Sequence, residues 1–310
     1  MIRPVGYFDD GPDLGEKVDP YMPLPIPLQT WTYDHEMAKE FRFGVGVMRA
    51  RSRTKLEDSA RRAEALGFDV LHVPDHLGGP APFPVMTAIA MATSTLRVGT
   101  FVINSAFYRP ALLARDVGAL HDLSDGRLDL GLGTGYVKEE FDAAGIPFPS
   151  AKERVDHLKA TTEYMAEHLP DVPIMIAGNG DRVLRIAARS ADIIGLTGGD
   201  RAATADEDPL ADRIAFVRDA AGERFAHLEL NLAITAMPLD DSGMPDLTIP
   251  RHFLPGLSDE ELLRHPGTLS GSTEEMAERI RSYRDVYGVS YVTVQDRHAE
   301  AFGKVIALLR

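Results

Sequence analysis

The chain has 310 residues, no cysteine, 44% apolar residues and a formal net charge of −14. That length suits one large α/β barrel or two ordinary domains. The absence of cysteine excludes disulfides, thiolate zinc sites and cysteine nucleophiles, and the acidic balance argues against a nucleic-acid backbone as partner. No apolar run approaches the ~18 residues of a membrane span, and no secretory pattern opens the chain, so a cytoplasmic protein is expected.

Residues 1–40 stand apart as an extension. Six of the 21 prolines lie here, and so does the single tryptophan, Trp31. Pro23-Leu24-Pro25-Ile26-Pro27 reads as extended chain, because each proline fixes φ and disfavours helix in the residue before it. Two readings stay open. One is a disordered leader; the other is docking on the body of the protein or on a partner, since Tyr21, Met22, Leu24, Ile26, Leu28 and Trp31 give it apolar surface.

A strand–helix rhythm begins at Phe41. Strands are expected at 41–47, 68–73, 96–103, 128–133, 173–177, 192–196, 228–236 and 290–294. Helices are expected at 54–67, 84–94, 110–123, 151–169, 181–189, 208–220, 273–287 and 298–309. Leu56, Ala60 and Ala63 share one face of the first helix, and Gly67 stops it. Pro110 sits in the first turn of the third, where its missing N–H is harmless. Eight strands alternating with helices predict a (β/α)₈ barrel over residues 41–310. A doubly wound sheet is the alternative fold.

Barrel chemistry sits beyond the C-terminal ends of the strands, so the residues there are the candidates. Asp75 and His76 follow the second strand; an imidazole titrating near neutrality suits proton transfer or a hydrogen bond to a cofactor. The bland reading is a helix-capping Asp beside a solvated His. Asn104 and Ser105 follow the third strand. Leu128-Asp129-Leu130-Gly131-Leu132-Gly133-Thr134-Gly135-Tyr136 carries the fourth strand into a glycine loop, with Glu139 and Glu140 beyond. Its glycines admit two readings, close packing of another backbone or a cradle for an anion. Gly178-Asn179-Gly180 opens a helix after the fifth strand, a position suited to phosphate. Thr197-Gly198-Gly199 follows the sixth. Three glycine loops at one mouth favour a large, flat or phosphorylated ligand. No strand end carries a lysine, no histidine spacing suits a metal, and no Gly-x-Ser-x-Gly supports acyl transfer.

Val73-Pro74-Asp75-His76, Leu96-Arg97-Val98-Gly99-Thr100, Arg109-Pro110-Ala111 and the run from Leu123-Ser124-Asp125-Gly126-Arg127 to Gly133-Thr134-Gly135 resemble the luciferase-like monooxygenase superfamily. Within it they are most similar to the branch that uses the deazaflavin F420 in place of FMN. Gly271-Ser272-Thr273-Glu274-Glu275 and Gly288-Val289-Ser290-Tyr291-Val292 fit as well. The resemblance implies a TIM barrel, usually dimeric, with the cofactor ring at the C-terminal mouth. It implies a non-prolyl cis peptide at Phe101–Val102 supporting the ring. It places Asp75, His76 and Asn104 near the ring and Gly133, Thr134 and Gly135 along it. Gly178, Asn179 and Gly180 would hold the phosphate. The implied reaction is hydride transfer between F420 and a C=C, imine, carbonyl or alcohol, with His76 as proton carrier and Tyr136 as donor or substrate contact.

Departures from the family narrow the reading. Tyr136 stands where F420-dependent sugar-phosphate dehydrogenase has a glutamate, and that enzyme's tryptophan after the histidine is missing, which disfavours sugar-phosphate oxidation. Only Pro170-Asp171-Val172-Pro173 joins the fourth-strand helix to the fifth strand, where relatives have a much longer proline-rich segment. The leader is a candidate to cover the surface so vacated. An FMN-dependent monooxygenase, a degenerate barrel that binds a partner, and an unrelated barrel enzyme stay open. Substrate contacts, to a small molecule or peptide, would come from residues 48–53 and 237–254. Arg49, Arg51 and Arg53 are candidates for an anionic group or a solvated basic turn. If the leader does cover the barrel, deleting residues 1–40 lowers the melting temperature or the cofactor affinity; both would stay unchanged for a free tail.

Overall fold

The computed structural model describes residues 39–49, 52–201, 204 and 207–310. Residues 1–38 and Arg51 lie outside the described residues, and so does the expectation that the leader covers the surface beside residues 170–173. The strands are β1 (Arg42–Gly46), β2 (Val70–Val73), β3 (Arg97–Thr100), β4 (Ile103–Asn104), β5 (Leu128–Gly133), β6 (Ile174–Ala177), β7 (Ile193–Leu196), β8 (Glu229–Ala233) and β9 (Val289–Val294). Every pairing between them is parallel. Their order, β3-β2-β1-β9-β8-β7-β6-β5-β4 with β5 also on β3, closes the sheet on itself. β3 and β4 are halves of one wall strand, so the barrel has eight staves, as the sequence predicts.

The helices are α1 (Arg53–Ala65), α2 (Pro82–Ala92), α3 (Pro110–Leu123), α4 (Lys138–Ala144), α5 (Ala151–His168), α6 (Asp181–Ser190), α7 (Pro209–Ala221), α8 (Thr248–Phe253), α9 (Asp259–Arg264), α10 (Thr273–Tyr287) and α11 (Ala299–Leu309). Local chemistry sets their ends. Ser150 with Glu153 and Ser272 with Glu275 form capping boxes that satisfy the first free N–H groups of α5 and α10. Gly288, at φ +74°, ends α10 in a left-handed turn that a side chain would resist. The short helices α4, α8 and α9 are absent from the sequence expectation. α4 buries only Phe141, too little periodicity to read. α8 and α9 gather Ala236, Leu247 and Leu262 into a small core of their own in the connection after β8. No helix among the described residues is long and apolar enough to cross a membrane.

Strand alternation divides the core in two. Leu128, Leu130 and Leu132 point outward into the layer shared with the helices. The barrel interior holds Val70, Met175, Ile193 and Tyr291, with Phe101 packed on them. Its floor is charged. Arg42 pairs with Asp129 and with Glu229 (2.9 Å), and Arg97 pairs with Asp129 (2.7 Å). β1 and β5 are separated by two staves, so the Arg42–Asp129 pair crosses the interior. The Arg42 guanidinium also lies 4.7 Å over the Tyr291 ring. Breaking such a buried set leaves an uncompensated charge, at a cost of about 3–5 kcal/mol. Beside residues 170–173, on this N-terminal face, a surface groove of about 400 Å³ runs past Leu169, Pro170, Arg189 and Arg224.

The third stave breaks at a non-prolyl cis peptide, Phe101–Val102, the bond expected from the sequence. Register shows a bulge. Gly99 pairs with Asp129 and Ile103 with Leu132, so residues 100–102 face only residues 130 and 131. The Thr100 hydroxyl patches the ladder, accepting from Gly131 N (2.9 Å) and donating to Gly131 O (2.8 Å). A side chain at Gly131 would put its first carbon 2.0 Å from Thr100 O, and one at Gly133 would meet Val102 Cγ2 at 2.6 Å. Both positions must therefore be glycine for the bulge to sit against β5. Gly131→Ala is expected to destabilise the fold by about 2 kcal/mol in urea denaturation. Gly256→Ala, into open space, should stay within about 0.5 kcal/mol of wild type.

Candidate functional site

The mouth at the C-terminal ends of the strands gathers the predicted residues into two groups. At one side, β2 delivers Asp75 and His76. Asp75 is buried. Its Oδ2 accepts from Asn104 N at 3.1 Å, and its carboxylate accepts from the Tyr108 hydroxyl. It caps no helix: α2 begins after Ala81. Burial pushes the Asp75 carboxyl up to about 6, with Glu140 adding to the rise while the Asn104 N–H, His76 and Tyr108 oppose it. Burial and the neighbouring Asp75 carboxylate also push the Tyr108 hydroxyl well above its usual range.

His76 stands at the surface of the mouth, its side chain 43% exposed, with Nδ1 2.8 Å from Glu140 Oε1. A carboxylate only accepts, so Nδ1 carries the hydrogen and Nε2 is left as the exchangeable proton site. Glu140 comes from α4, which Phe141 anchors through ring contacts with Phe107 and Phe148, both at 4.9 Å. The sequence marks Glu140 only as one of two acids after the glycine loop; its role depends on a helix with one buried residue. Tyr108 is also legible only from the fold. Its carbonyl and that of Ser105 accept from His157 Nε2 at 3.0 and 2.9 Å, which pins the turn after β4 to α5.

Asn104 holds that turn from within. Its Oδ1 accepts from Ala106 N at 3.2 Å. A side chain at Gly135, φ +69°, would meet Asn104 Oδ1 at 2.1 Å. Gly133 backs Val102, and Gly135 makes room for Asn104, so these two glycines let protein approach protein. Thr134 lies between them, half-buried, and Tyr136 is exposed at the rim. Phe101 and Val102 form an apolar shelf over the barrel interior. Phe101 rests against the His72 ring at 5.3 Å. His72, pushed down to about 3 by burial, is a neutral filler between Gly44 and Gly99.

The second group lies across the mouth. Gly178, Asn179 and Gly180 lead into α6, whose N-terminus has no side-chain cap. Asn179 Nδ2 donates to Thr197 Oγ1 at 2.6 Å, joining this loop to the one after β7. A side chain at Gly180 would point into open space. Here a cavity of about 220 Å³ is bounded by Asn179, Gly199, Arg201 and Arg213. The uncapped N–H groups of α6 and the Asn179 amide are donors for an anion, while the two arginines are paired with acids, Arg201 with Glu207 and Asp212 at 3.5 Å and Arg213 with Asp181 at 2.6 Å, and Asp200 and Asp212 line the same cavity. Neither arginine lies in a motif, and the fold alone brings them to the loop. Among the described residues no group of His, Asp or Glu is arranged to hold a metal.

Residues 37–242 match the model of the luciferase-like monooxygenase family. With the closed parallel barrel, this defines the chain: it belongs to the luciferase-like monooxygenase family. It is 29% identical over 298 residues to an F420-dependent glucose-6-phosphate dehydrogenase of Intrasporangium calvum, covering 77% of this chain and 88% of that one. It is 30% identical over 170 residues to a 5,10-methylenetetrahydromethanopterin reductase of Methanolobus tindarius, covering 48% of this chain and about half, 52%, of that relative. The barrel superposes on the coenzyme F420 dependent tetrahydromethanopterin reductase of Methanopyrus kandleri with a TM-score of 0.71, 18% identity and coverage of 88% and 100%. It also superposes on an FMN complex of the oxygenating constituent of 3,6-diketocamphane monooxygenase of Pseudomonas putida, with a TM-score of 0.64, 18% identity and coverage of 86% and 97%.

The raised Asp75 carboxyl has a consequence for stability. It binds its proton more tightly when folded (about 6) than in the unfolded chain (3.8). Its contribution therefore favours folding at low pH and is lost as pH rises through 6. Asp75→Asn removes that dependence. From pH 4 to pH 7 the variant should gain about 2 kcal/mol on wild type in unfolding free energy.

Proposed function

We propose that this chain is an F420-dependent oxidoreductase that moves a hydride between the deazaflavin and a C=C, imine, carbonyl or alcohol of an organic substrate. The observation that carries the reading is one mouth with three parts: the Phe101–Val102 shelf, the His76–Glu140 pair beside it, and the donor set around Asn179 opposite. The donors present suit the cofactor. An apolar shelf suits a flat ring, and the N–H groups of α6 with the Asn179 amide suit a phosphate. In this reading Asp75, Asn104, Gly133, Thr134 and Gly135 border the ring, while Gly178, Asn179 and Gly180 hold the phosphate. Bound F420 would supply a ring carbon that gives or takes a hydride.

The protein's own share is proton handling and placement. Glu140 fixes the His76 tautomer, so that Nε2 holds or delivers the proton that balances the hydride. Asp75, titrating near 6 and shielded from water, keeps the end of β2 tied to the start of the turn at Asn104 and does not compete with His76 for substrate. Tyr136 stands exposed at the rim, placed to meet substrate. We place the catalytic unit at residues 41–310, with residues 1–40 as an extension. A homodimer is the proposed assembly, since Met91 on α2 and Leu112 and Leu123 on α3 leave apolar side chains exposed on neighbouring helices.

The purified chain should quench F420 fluorescence on titration. His76→Ala should lower turnover with F420 by about 100-fold or more while its F420 affinity stays near that of wild type; unchanged turnover would remove His76 from the role. Binding of reduced FMN with oxygen consumption, and none of F420, would replace this reading with a flavin monooxygenase. No binding of either would favour a partner-binding barrel.

A further inference from the structure

His265 lies in the connection after β8, outside every motif read from the sequence, yet it is 3% exposed and both its ring nitrogens meet backbone. Gly267 N donates to Nδ1 at 3.0 Å. A nitrogen that accepts carries no hydrogen, so the hydrogen of the neutral ring sits on Nε2. Nε2 lies 3.4 Å from Gly199 O and donates to it. Burial holds the imidazole below its usual range, with that bond opposing, so the neutral ring and this tautomer persist at pH 7.

The turn that carries the ring is itself fixed. Tyr283 on α10 donates to Pro266 O at 3.0 Å. Thr235 N, just past β8, donates to Gly267 O at 2.8 Å, and Thr268 N donates to His265 O at 2.9 Å. The receiving loop, residues 197–199, is fitted to it. A first side-chain carbon at Gly198 (φ +89°) would lie 2.7 Å from His265 Cε1, and one at Gly199 (φ +98°) 2.9 Å from Pro209 Cβ at the start of α7. Thr197, which opens the loop, accepts from Asn179 Nδ2.

Gly199 and Asp200 both line the cavity beside Asn179, and His265 does not. Arg201 and Arg213, in the same cavity, are engaged with acids. An anion there depends on backbone N–H groups and the Asn179 amide, so the direction of each peptide matters. The Gly199–Asp200 peptide is trans, and in a trans peptide the carbonyl and the N–H point in opposite directions. With Gly199 O turned to His265, Asp200 N–H points away from that ring.

We propose that His265 is a positioning residue: by holding Gly199 O it turns Asp200 N–H toward the cavity, adding a donor for the phosphate received at Gly178-Asn179-Gly180. That the phosphate belongs to F420 rests on the cofactor reading above; the latch on the peptide does not. Once released, the peptide turns over readily, because glycine at 199 meets little steric resistance. Its carbonyl oxygen would then face the anion and repel it.

Two titrations of the full chain test this without turnover: F420, followed by fluorescence quenching, and inorganic phosphate, followed by slowed amide hydrogen exchange in residues 197–201. His265→Gln puts an amide N–H near the place of Nε2 and should hold both affinities within about twofold of wild type. His265→Asn puts an acceptor near the place of Nδ1 and no donor near Nε2. It should weaken both ligands by about tenfold, as should His265→Ala, and exchange of the free loop should quicken. The deazaflavin riboside, which lacks the phosphate, should bind wild type and all three variants alike. A role confined to the turn at Gly267 predicts the reverse order, with Asn retained and Gln lost, and that order would overturn the inference. Equal binding across the series, or a riboside loss equal to that of F420, would also overturn it. Should the Ala variant fail to fold, the Gln–Asn contrast decides. Phosphate bound in the expected order of variants, with no F420 bound by wild type, would overturn the cofactor reading alone; binding of neither would overturn both.

Discussion

The bulge at Thr100–Val102 presses against the inner face of β5, and everything at the mouth depends on that contact. A closed barrel fixes the distance between staves, so an extra residue on one stave must be accommodated by its neighbour. Gly131 and Gly133 do this by having no side chain, since a carbon at either would collide with Thr100 O or Val102. Thr100 replaces the lost ladder bonds with its hydroxyl. The result carries Phe101 and Val102 over the interior as a shelf and turns Asn104 toward Asp75. The positions of Asp75, Tyr108 and the turn after β4 follow from this one accommodation.

A second constraint lies beneath it. The interior of a barrel is filled by side chains from alternate positions, and here the floor is filled by charge. Arg42, Arg97, Asp129 and Glu229 reach across from staves that are not neighbours and neutralise one another. Above them the neutral His72 shares a 2.5 Å contact with the Tyr291 hydroxyl. Such a set holds the staves in register because each ion needs its partners in place. The apolar cluster of Val70, Met175, Ile193 and Tyr291 fills the interior beside them, with Phe101 packed on it. At the mouth, donors for an anion, the α6 N–H groups and the Asn179 amide, lie beyond β6.

Much of the fold was legible from the residues. Alternating apolar strands, capped helices and stop glycines recur with a period that only a strand–helix repeat produces, because these signals are local. Phe101–Val102 was readable as a cis bond through family resemblance. The glycine run 131–135 was recognisable as important, yet its two readings could not be separated in one dimension. The fold shows Gly131 and Gly133 meeting the third stave and Gly135 meeting Asn104, contacts between residues about thirty positions apart.

The sequence by itself determined an eight-stave parallel barrel and marked residues at its strand ends, Asp75 and His76 among them, as candidates. Periodicity, capping and turn chemistry act over a few residues, and those are written in order along the chain. Only the tertiary structure decided which side chains meet those candidates. Glu140 reaches His76 across 64 positions, Arg201 and Arg213 converge on Asn179, and Arg42 meets Asp129 through the barrel interior. Partnerships of that kind depend on barrel closure, which brings distant strand ends within a hydrogen bond of one another and leaves no mark on the local sequence.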